Sequence, residues 1–255
     1  MHRFELDRNR FVLALVLLWI ALALIVDRGA SLGQQYALGA ITWGLLACLL
    51  AGESREMRQQ VLMAAAFATI GEYLAAPLLG FYVYRLENVP SFVPPGHGLV
   101  YLAAIVLARF SAPQGRESLV CRAALLLGAL WAAWGVTLAP RTDTFGLLLF
   151  GLFALFLLRG RAPTVYASAF FVRAFLEWFG TSVGAWTWAT ADPTGTLGIG
   201  NPPSGIAAAY CVVDWVALRV TRHLSRSIAA ACALVGIVPT SRRQEGGDPI
   251  SVERR

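Results

Sequence analysis

Long apolar runs, separated by short polar stretches, dominate the chain. A helix that crosses a membrane needs about 20 predominantly apolar residues, and eight runs approach this length. We therefore predict eight spanning helices, of which the fourth and the sixth are short enough to need flanking residues or local thinning of the bilayer. The predicted spans are 10–27, 36–52, 60–84, 96–110, 119–139, 144–159, 163–188 and 204–220.

The segment after the eighth run has a different character. The apolar run at 227–239 is too short to cross a bilayer and is expected at its interface. The polar sequence from Thr240 onward is predicted to be disordered. The pattern thus predicts one multi-pass domain over 1–226, followed by an interfacial segment and a cytoplasmic tail over 227–255.

Composition agrees with a membrane protein. Of the 255 residues, 57% are hydrophobic and 14% are charged, whereas soluble domains have about 25% charged residues. A water-soluble globular domain is therefore excluded. The four cysteines form no Cys-x-x-Cys pair, and no phosphate-binding or dinucleotide motif is present. We expect no metal and no cofactor.

The basic residues, all of them arginine, give the predicted orientation. A net charge of +6 can indicate nucleic-acid binding, but these arginines flank the apolar runs, so no nucleic-acid partner is expected. With eight spans, 17 of the 21 arginines fall on the side of both termini, and only Arg28, Arg85 and Arg141 fall on the other side. Arg173 lies inside a span. The positive-inside rule then predicts a protein of the inner membrane with both termini in the cytoplasm.

Two segments of the chain resemble each other. Each has a glutamate within a span, an aromatic-x-aromatic triplet 9 or 10 residues later, a loop, and then Pro-Pro and glycine before the next span. We therefore predict an all-α polytopic membrane helix bundle of two four-helix pseudo-repeats, about 10–110 and 119–220. Because each repeat has an even number of spans, the repeats would be parallel, related by an axis along the membrane normal.

Four ionisable residues fall at membrane depth, where such groups are rare and often functional. They are Glu72, Arg173, Glu177 and Asp214, and both glutamates fall near the middle of their predicted spans. Arg173 is one turn before Glu177, so the two can pair. One hypothesis is catalysis, with Glu72 as general acid and an ionised Glu177 as base or charge stabiliser. A buried structural ion pair is the alternative. His97, at the mouth of span 4, is either a further catalytic residue or a helix cap.

A second group of residues surrounds these candidates. Aromatic side chains at the ends of spans suit the membrane interface, and polar groups near them could orient a substrate. The predicted substrate-binding residues are Tyr82, Tyr84, Trp186, Trp188, Asn201 and Asp214.

Both halves also carry short aromatic and proline motifs. Residues 82–84, 88–90 and 92–94 read Tyr-Val-Tyr, Asn-Val-Pro and Phe-Val-Pro, and residues 184–188 and 201–203 read Gly-Ala-Trp-Thr-Trp and Asn-Pro-Pro. These stretches resemble the membrane carotenoid-biosynthesis family that includes carotenoid hydratases. The resemblance covers about 35 residues of each half. It implies an isoprenoid or lipid substrate and does not assign a reaction.

The leading hypothesis is therefore a membrane enzyme that acts on an isoprenoid or lipid by acid/base chemistry. Its partner would be a membrane lipid or a lipid-like small molecule. A small proton-coupled transporter and a non-catalytic membrane scaffold remain alternatives. A closed, apolar, tail-shaped cavity beside Glu72 would favour the enzyme, and a water-filled path to both faces would favour transport. Glu72 and Glu177 on different sides, with no cavity between them, would favour the scaffold.

Overall fold

A computed structural model describes residues 2–111 and 115–234, with side chains over 6–111 and 115–221. The described chain forms eight α-helices, one π-helix and one two-stranded sheet, which confirms the all-helical prediction. In chain order the elements are α1 His2–Asp27, α2 Leu32–Ala51, α3 Arg55–Tyr73, a π-helix Leu74–Leu78, β1 Tyr82–Tyr84, α4 Val93–Ser111, α5 Glu117–Thr137, α6 Thr144–Arg159, α7 Pro163–Ser182, β2 Trp186–Trp188 and α8 Ala207–Leu234.

Five stretches of helix are long and apolar enough to cross a membrane: Leu6–Asp27, Leu32–Ala51, Arg55–Leu78, Val93–Ser111 and Glu117–Thr137. Helix α6 is apolar but has only 16 residues. Helix α7 carries Arg173 and Glu177, which lower its hydropathy, and it buries most of its length against other helices. The crossing of all eight helices remains a prediction.

Local sequence signals set several helix starts. Ser31 and Gln34 form a capping box at the start of α2, and Ser54 caps α3. The Asp143 side chain accepts a hydrogen bond from the Gly146 amide and caps α6. These side chains satisfy backbone amides that a helix start leaves without a partner.

Spans 3 and 7 end earlier than predicted. The predicted helices ran through the aromatic triplets to residues 84 and 188, but α3 and its π-helix end at Leu78 and α7 ends at Ser182. Pro77 lacks an amide donor, so the helix widens there. Gly80 and Gly184 adopt positive φ angles of 70° and 77° and turn the chain back. The aromatic triplets are therefore strands that fold over the helix ends.

The end of the chain also differs from the prediction. Helix α8 runs without a break from Ala207 to Leu234, so it joins the predicted span at 204–220 to the first part of the predicted interfacial run at 227–239. The placement of that run at the membrane interface stays a prediction. No glycine or proline interrupts this stretch. The rest of the predicted interfacial run and the predicted disordered tail lie outside the described residues.

Helix α4 lies at the centre of the bundle. Of its most apolar stretch, 67% is buried, compared with 22–33% for the other four apolar helices. Its main neighbours are α3, α7 and α1, and α3 packs in turn against α8. The interior is thus built by α3, α4, α7 and α8, while α1, α2, α5 and α6 surround them.

The antiparallel pairing of β1 and β2 defines one end of the bundle, which we call the ribbon end. Tyr82 faces Trp188, Val83 faces Thr187 and Tyr84 faces Trp186. The turn from α1 to α2 is also at this end, because the Arg85 side chain donates to the Ala30 carbonyl at 2.5 Å. At the opposite end, the Glu53 carboxylate pairs with Arg8 and, at 3.0 Å, with Arg109.

Candidate functional site

Both predicted carboxylates lie near the ribbon end and not at mid-helix. Glu72 is in the last turn of α3, and Glu177 is five residues before the end of α7, which is about 7.5 Å along a helix axis. Both side chains are buried. The mid-span prediction is wrong because it counted the aromatic strands as helix.

Strand β1 supplies the partners of Glu72. Successive side chains of a strand point to opposite faces, so Tyr82 and Tyr84 point inward while Val83 is exposed. Their hydroxyls donate to Glu72 Oε2 at 2.6 and 2.8 Å. His97 Nε2, from α4, lies 3.1 Å from Oε1 in ion-pair range, although its N–H is not aligned for a hydrogen bond.

Strand β2 supplies the partners of Glu177 in the same way. The indole N–H groups of Trp186 and Trp188 both donate to Glu177 Oε2 at 3.1 Å. The Arg173 Nη2 group lies 2.8 Å from Oε1. Indole and guanidinium groups can donate hydrogen bonds but not accept them. Glu177 is therefore an ionised carboxylate in this arrangement.

Tyr210 of α8 connects the two carboxylates. Its hydroxyl contacts His97 Nδ1 and accepts a hydrogen bond from Arg173 Nη1 at 2.9 Å. The guanidinium also lies 4.2 Å from the centre of the Tyr210 ring. Because Arg173 only donates, the Tyr210 proton is free to point to Nδ1, while Nε2 on the other side of the ring lies beside Glu72. A continuous polar chain thus joins Glu72 to Glu177.

A cavity of about 70 Å³ adjoins this polar chain, which is well above the roughly 10–15 Å³ needed to hold one water molecule. His97 Nε2 and Arg173 Nε, on two residues that line the cavity, have no hydrogen-bond partner within the described part of the chain. Of these two atoms, His97 Nε2 already lies 3.1 Å from Glu72 Oε1, so Arg173 Nε is the one left for a polar group of a bound molecule. The rings of Tyr82, Tyr84, Trp186 and Trp188 also line the cavity, and its apolar wall includes Trp19, Ile20, Leu24, Phe92, Val100 and Leu176.

Two predicted residues lie outside the cavity. The Asn201 side-chain oxygen accepts a hydrogen bond from the Trp188 backbone amide at 3.0 Å, so it holds β2 in place. Asp214 is fully buried in α8, one turn after Tyr210, and neither of its oxygens has a hydrogen-bond partner among the described residues. The cavity therefore brings together eight of the ten predicted residues.

Sequence reasoning missed Tyr210 and the wall formed by α1. The only signal for Tyr210 was its spacing, one turn before the conspicuous Asp214. Trp19 carried no signal, because in an apolar run a residue that faces lipid looks like one that faces the protein. Tertiary packing alone distinguishes them.

Comparison with known proteins does not narrow the function. No protein-family model matches the chain, and no curated protein or solved structure matches it. In the described parts of the chain, no group of three or more His, Cys, Asp or Glu side chains is placed to hold a metal ion. The function is therefore argued from the site itself.

Proposed function

We propose that the chain is an integral membrane enzyme that acts on an isoprenoid or lipid-like substrate by acid/base chemistry at the ribbon end. The observation that carries this proposal is the polar chain from Glu72 through His97, Tyr210 and Arg173 to Glu177, set against an apolar cavity wall. Apolar walls suit a hydrocarbon, and the carboxylates provide charge and protons beside it.

The donor inventory gives the two glutamates different roles. Glu72 accepts hydrogen bonds from both tyrosine hydroxyls in the structure, but it can take up a proton, because hydroxyl and imidazole partners are able to reverse and accept. Glu177 receives only donors and stays a fixed negative charge. This combination is typical of acid/base pairs in which the environment separates the two groups. Glu72 is the proposed general acid, and Glu177 with Arg173 is the proposed electrostatic support.

The proposed reaction is addition of water to a carbon–carbon double bond. The Glu72 O–H proton is transferred to one alkene carbon, and the π electrons form the new C–H bond. The resulting cation is stabilised by carboxylate charge and by aromatic faces. The oxygen of water then bonds to the cationic carbon, and the released proton returns to Glu72, with His97 as the adjacent carrier. Alkene and water are consumed and an alcohol is formed.

Cavity size limits how the substrate enters. A volume of about 70 Å³ does not hold a complete isoprenoid chain. Only the reactive end would occupy the cavity, and the remaining hydrocarbon would extend along the apolar wall from α1 toward the surrounding lipid. The interior therefore favours a substrate whose double bond is near one end.

The proposed membrane placement has eight spans, both termini on the cytoplasmic side of the inner membrane, and the ribbon end outward. Two of the three arginines predicted on the outer side, Arg85 and Arg141, have contacts at the ribbon end. Arg8 and Arg109, predicted on the cytoplasmic side, meet at Glu53 at the opposite end. This distribution supports the positive-inside assignment.

The ribbon and the four inner helices support two parallel pseudo-repeats, while the contacts of α1 and α5 with them are not symmetric. The ribbon register is symmetric about the pair Val83 and Thr187, because exchanging the two strands leaves the pairing unchanged. The contact of α3 with α8 has a counterpart in the contact of α4 with α7. Both relations are those expected of a twofold axis that passes through the ribbon along the membrane normal.

The test is lipid and pigment analysis of a deletion strain complemented with variants. We expect the strain to accumulate a precursor that wild-type protein removes and Glu72→Gln does not. Glu53→Gln is the matched control, because Glu53 is a buried, arginine-paired acid at the other end. An unchanged profile in the deletion strain, or full complementation by Glu72→Gln, would reject the enzyme proposal.

One observation favours proton-coupled transport as a second candidate. Asp214 lies one turn from Tyr210, Tyr101 donates to Gln60 Oε1 at 3.3 Å, and Gln60 donates to the exposed Glu56 at 3.4 Å. These polar groups lie between the site and the opposite end, although no hydrogen bond joins Asp214 to Tyr210 or Tyr101 among the described residues. In liposomes with an imposed pH gradient, a transporter would carry protons and Asp214→Asn would stop it, whereas an enzyme would show no proton flux.

A further inference from the structure

A second cavity lies at the ribbon end, beside α5 and α7. Its volume is about 290 Å³, larger than that of the cavity beside Glu72. Trp131 and Trp134 of α5 and Trp178 of α7 form its wall, with ring centres 5.6 and 6.4 Å from Trp178. Aromatic walls of this kind suit an amphipathic ligand at the membrane interface.

The side chains around this cavity offer hydrogen-bond donors. The one carboxylate, Asp143, is occupied by backbone amides: Oδ1 accepts from Gly146 at 3.0 Å and Gly200 at 2.8 Å, and Oδ2 accepts from Ser204 at 2.7 Å. Arg141 contributes a positive charge. The charges of Arg141 and Asp143 balance each other, but both Asp143 oxygens are committed to backbone amides, so Arg141 is the charged group that remains for an anionic ligand.

A hydrogen bond to the ribbon fixes one part of the Arg141 side chain. Among the described residues its one hydrogen bond runs from Nη1 to the Trp188 carbonyl at 2.9 Å, so the rest of the guanidinium is available. Asn201 also lines the cavity; its side-chain oxygen accepts from the Trp188 amide, which leaves its amide N–H₂ as a donor. A planar guanidinium suits the oxygens of a phosphate.

An apolar surface leads away from the cavity along α5. Trp134 and Trp178 are 41% and 49% exposed, and Leu126 and Leu130 on α5 and Leu138 directly after it are also exposed. Helix α5 is also the least buried of the five apolar helices. A hydrocarbon tail can therefore lie on this surface while its polar head occupies the cavity.

We propose that this tryptophan-lined cavity binds the phosphate headgroup of an anionic phospholipid, with Arg141 as its charged contact. The proposal rests on the membrane placement above but not on the acid/base chemistry. Bound lipid would stabilise the ribbon, because Trp188 connects the two sites: its backbone contacts Arg141 and Asn201, and its indole donates to Glu177.

Thermal unfolding of the full chain in a zwitterionic detergent tests the proposal. The probes are short-chain phosphatidylglycerol, the matching diacylglycerol and inorganic phosphate. The diacylglycerol has the tails without the phosphate headgroup, and inorganic phosphate has the charge without the tails. We expect phosphatidylglycerol alone to raise the unfolding midpoint. Arg141→Gln should weaken its apparent affinity about tenfold or more, as expected for loss of a charge-assisted hydrogen bond.

Arg28→Gln is the matched control, because Arg28 is an exposed arginine on the turn between α1 and α2 at the same end, and it should bind as wild type does. If Arg141→Gln does not fold, Arg141→Lys keeps the charge without the planar fork and should bind more weakly than wild type. Equal stabilisation by diacylglycerol, equal stabilisation by inorganic phosphate, or unchanged affinity in the Arg141 variants would each overturn the proposal. None of these outcomes bears on catalysis at Glu72.

Discussion

Glu72→Gln and Glu177→Gln make the same chemical change in two buried carboxylates, yet we predict different losses of stability. In Glu177→Gln, one orientation of the amide puts its N–H₂ group against Arg173 Nη2, at 2.8 Å in the native protein. The other orientation puts it against two indole N–H groups, at 3.1 Å. Either way donors face donors, and Arg173 loses the charge that balances it.

The expected losses of stability follow from the donors and acceptors around each carboxylate. Removing one partner of a buried ion pair costs about 3–5 kcal/mol, which is our expectation for Glu177→Gln. In Glu72→Gln, the hydroxyls of Tyr82 and Tyr84 can rotate to accept from the new amide, and His97 can change tautomer. Only charge assistance is lost, so we expect a loss of about 1 kcal/mol.

Equilibrium unfolding in mixed micelles with increasing SDS, followed by circular dichroism, measures both variants. Glu53→Gln is a useful third point, because its partners are also arginines but the Arg8 side chain is 38% exposed, so water can replace the lost contact. The double variant Arg173→Met/Glu177→Gln should recover part of the loss, since it removes the unpaired charge. If Glu72→Gln lost as much stability as Glu177→Gln, or more, the argument from hydrogen-bond donors would be refuted.

Three further predictions concern the surroundings of the site. Gly180→Ala should destabilise the protein by about 1–3 kcal/mol in the same unfolding assay, because its Cβ would lie 1.9 Å from the Trp186 ring. Asp214→Asn should cost no stability, because it removes a buried carboxylate whose oxygens have no partner among the described residues. The Thr194 hydroxyl, followed by backbone amides, lowers the pKa of Asp192 from 3.8 to about 2. Its stabilisation of the loop is therefore complete above about pH 4 and lost as pH falls toward 2, measured by amide hydrogen exchange relative to Asp192→Asn.

Each of these three predictions would be contradicted by a different result. Gly151→Ala is the control for the glycine variant, because no atom lies within 4 Å of its added Cβ; equal losses at both glycines would exclude the indole contact as the cause. A loss above about 3 kcal/mol for Asp214→Asn would indicate a paired charge. Loop protection that already falls between pH 6 and 4 in the wild type alone would contradict the lowered pKa of Asp192.

The hydrophobic pattern was sufficient for the class of fold and for the candidate carboxylates. A helix that crosses a bilayer needs an apolar run of about 20 residues, so such helices can be recognised from the linear sequence. Charges inside such runs are costly, so Glu72, Arg173 and Glu177 were conspicuous without any knowledge of their partners. The spacing of Arg173 and Glu177 on one helix even predicted their ion pair, which the structure confirms.

Tertiary structure decided everything that depends on contacts between distant segments. His97 and Tyr210 are 113 residues apart, and the two aromatic triplets pair across more than 100 residues, so no local pattern encodes either contact. In an apolar chain, residues that face lipid and residues that face protein have the same composition, which is why the wall around Trp19 and the exclusion of Asp214 from the cavity could not be read from the sequence. The sequence by itself determined which groups had to be buried. Only packing determined which of them meet, because a hydrogen bond requires atoms about 3 Å apart, and only the folded helices bring them to that distance.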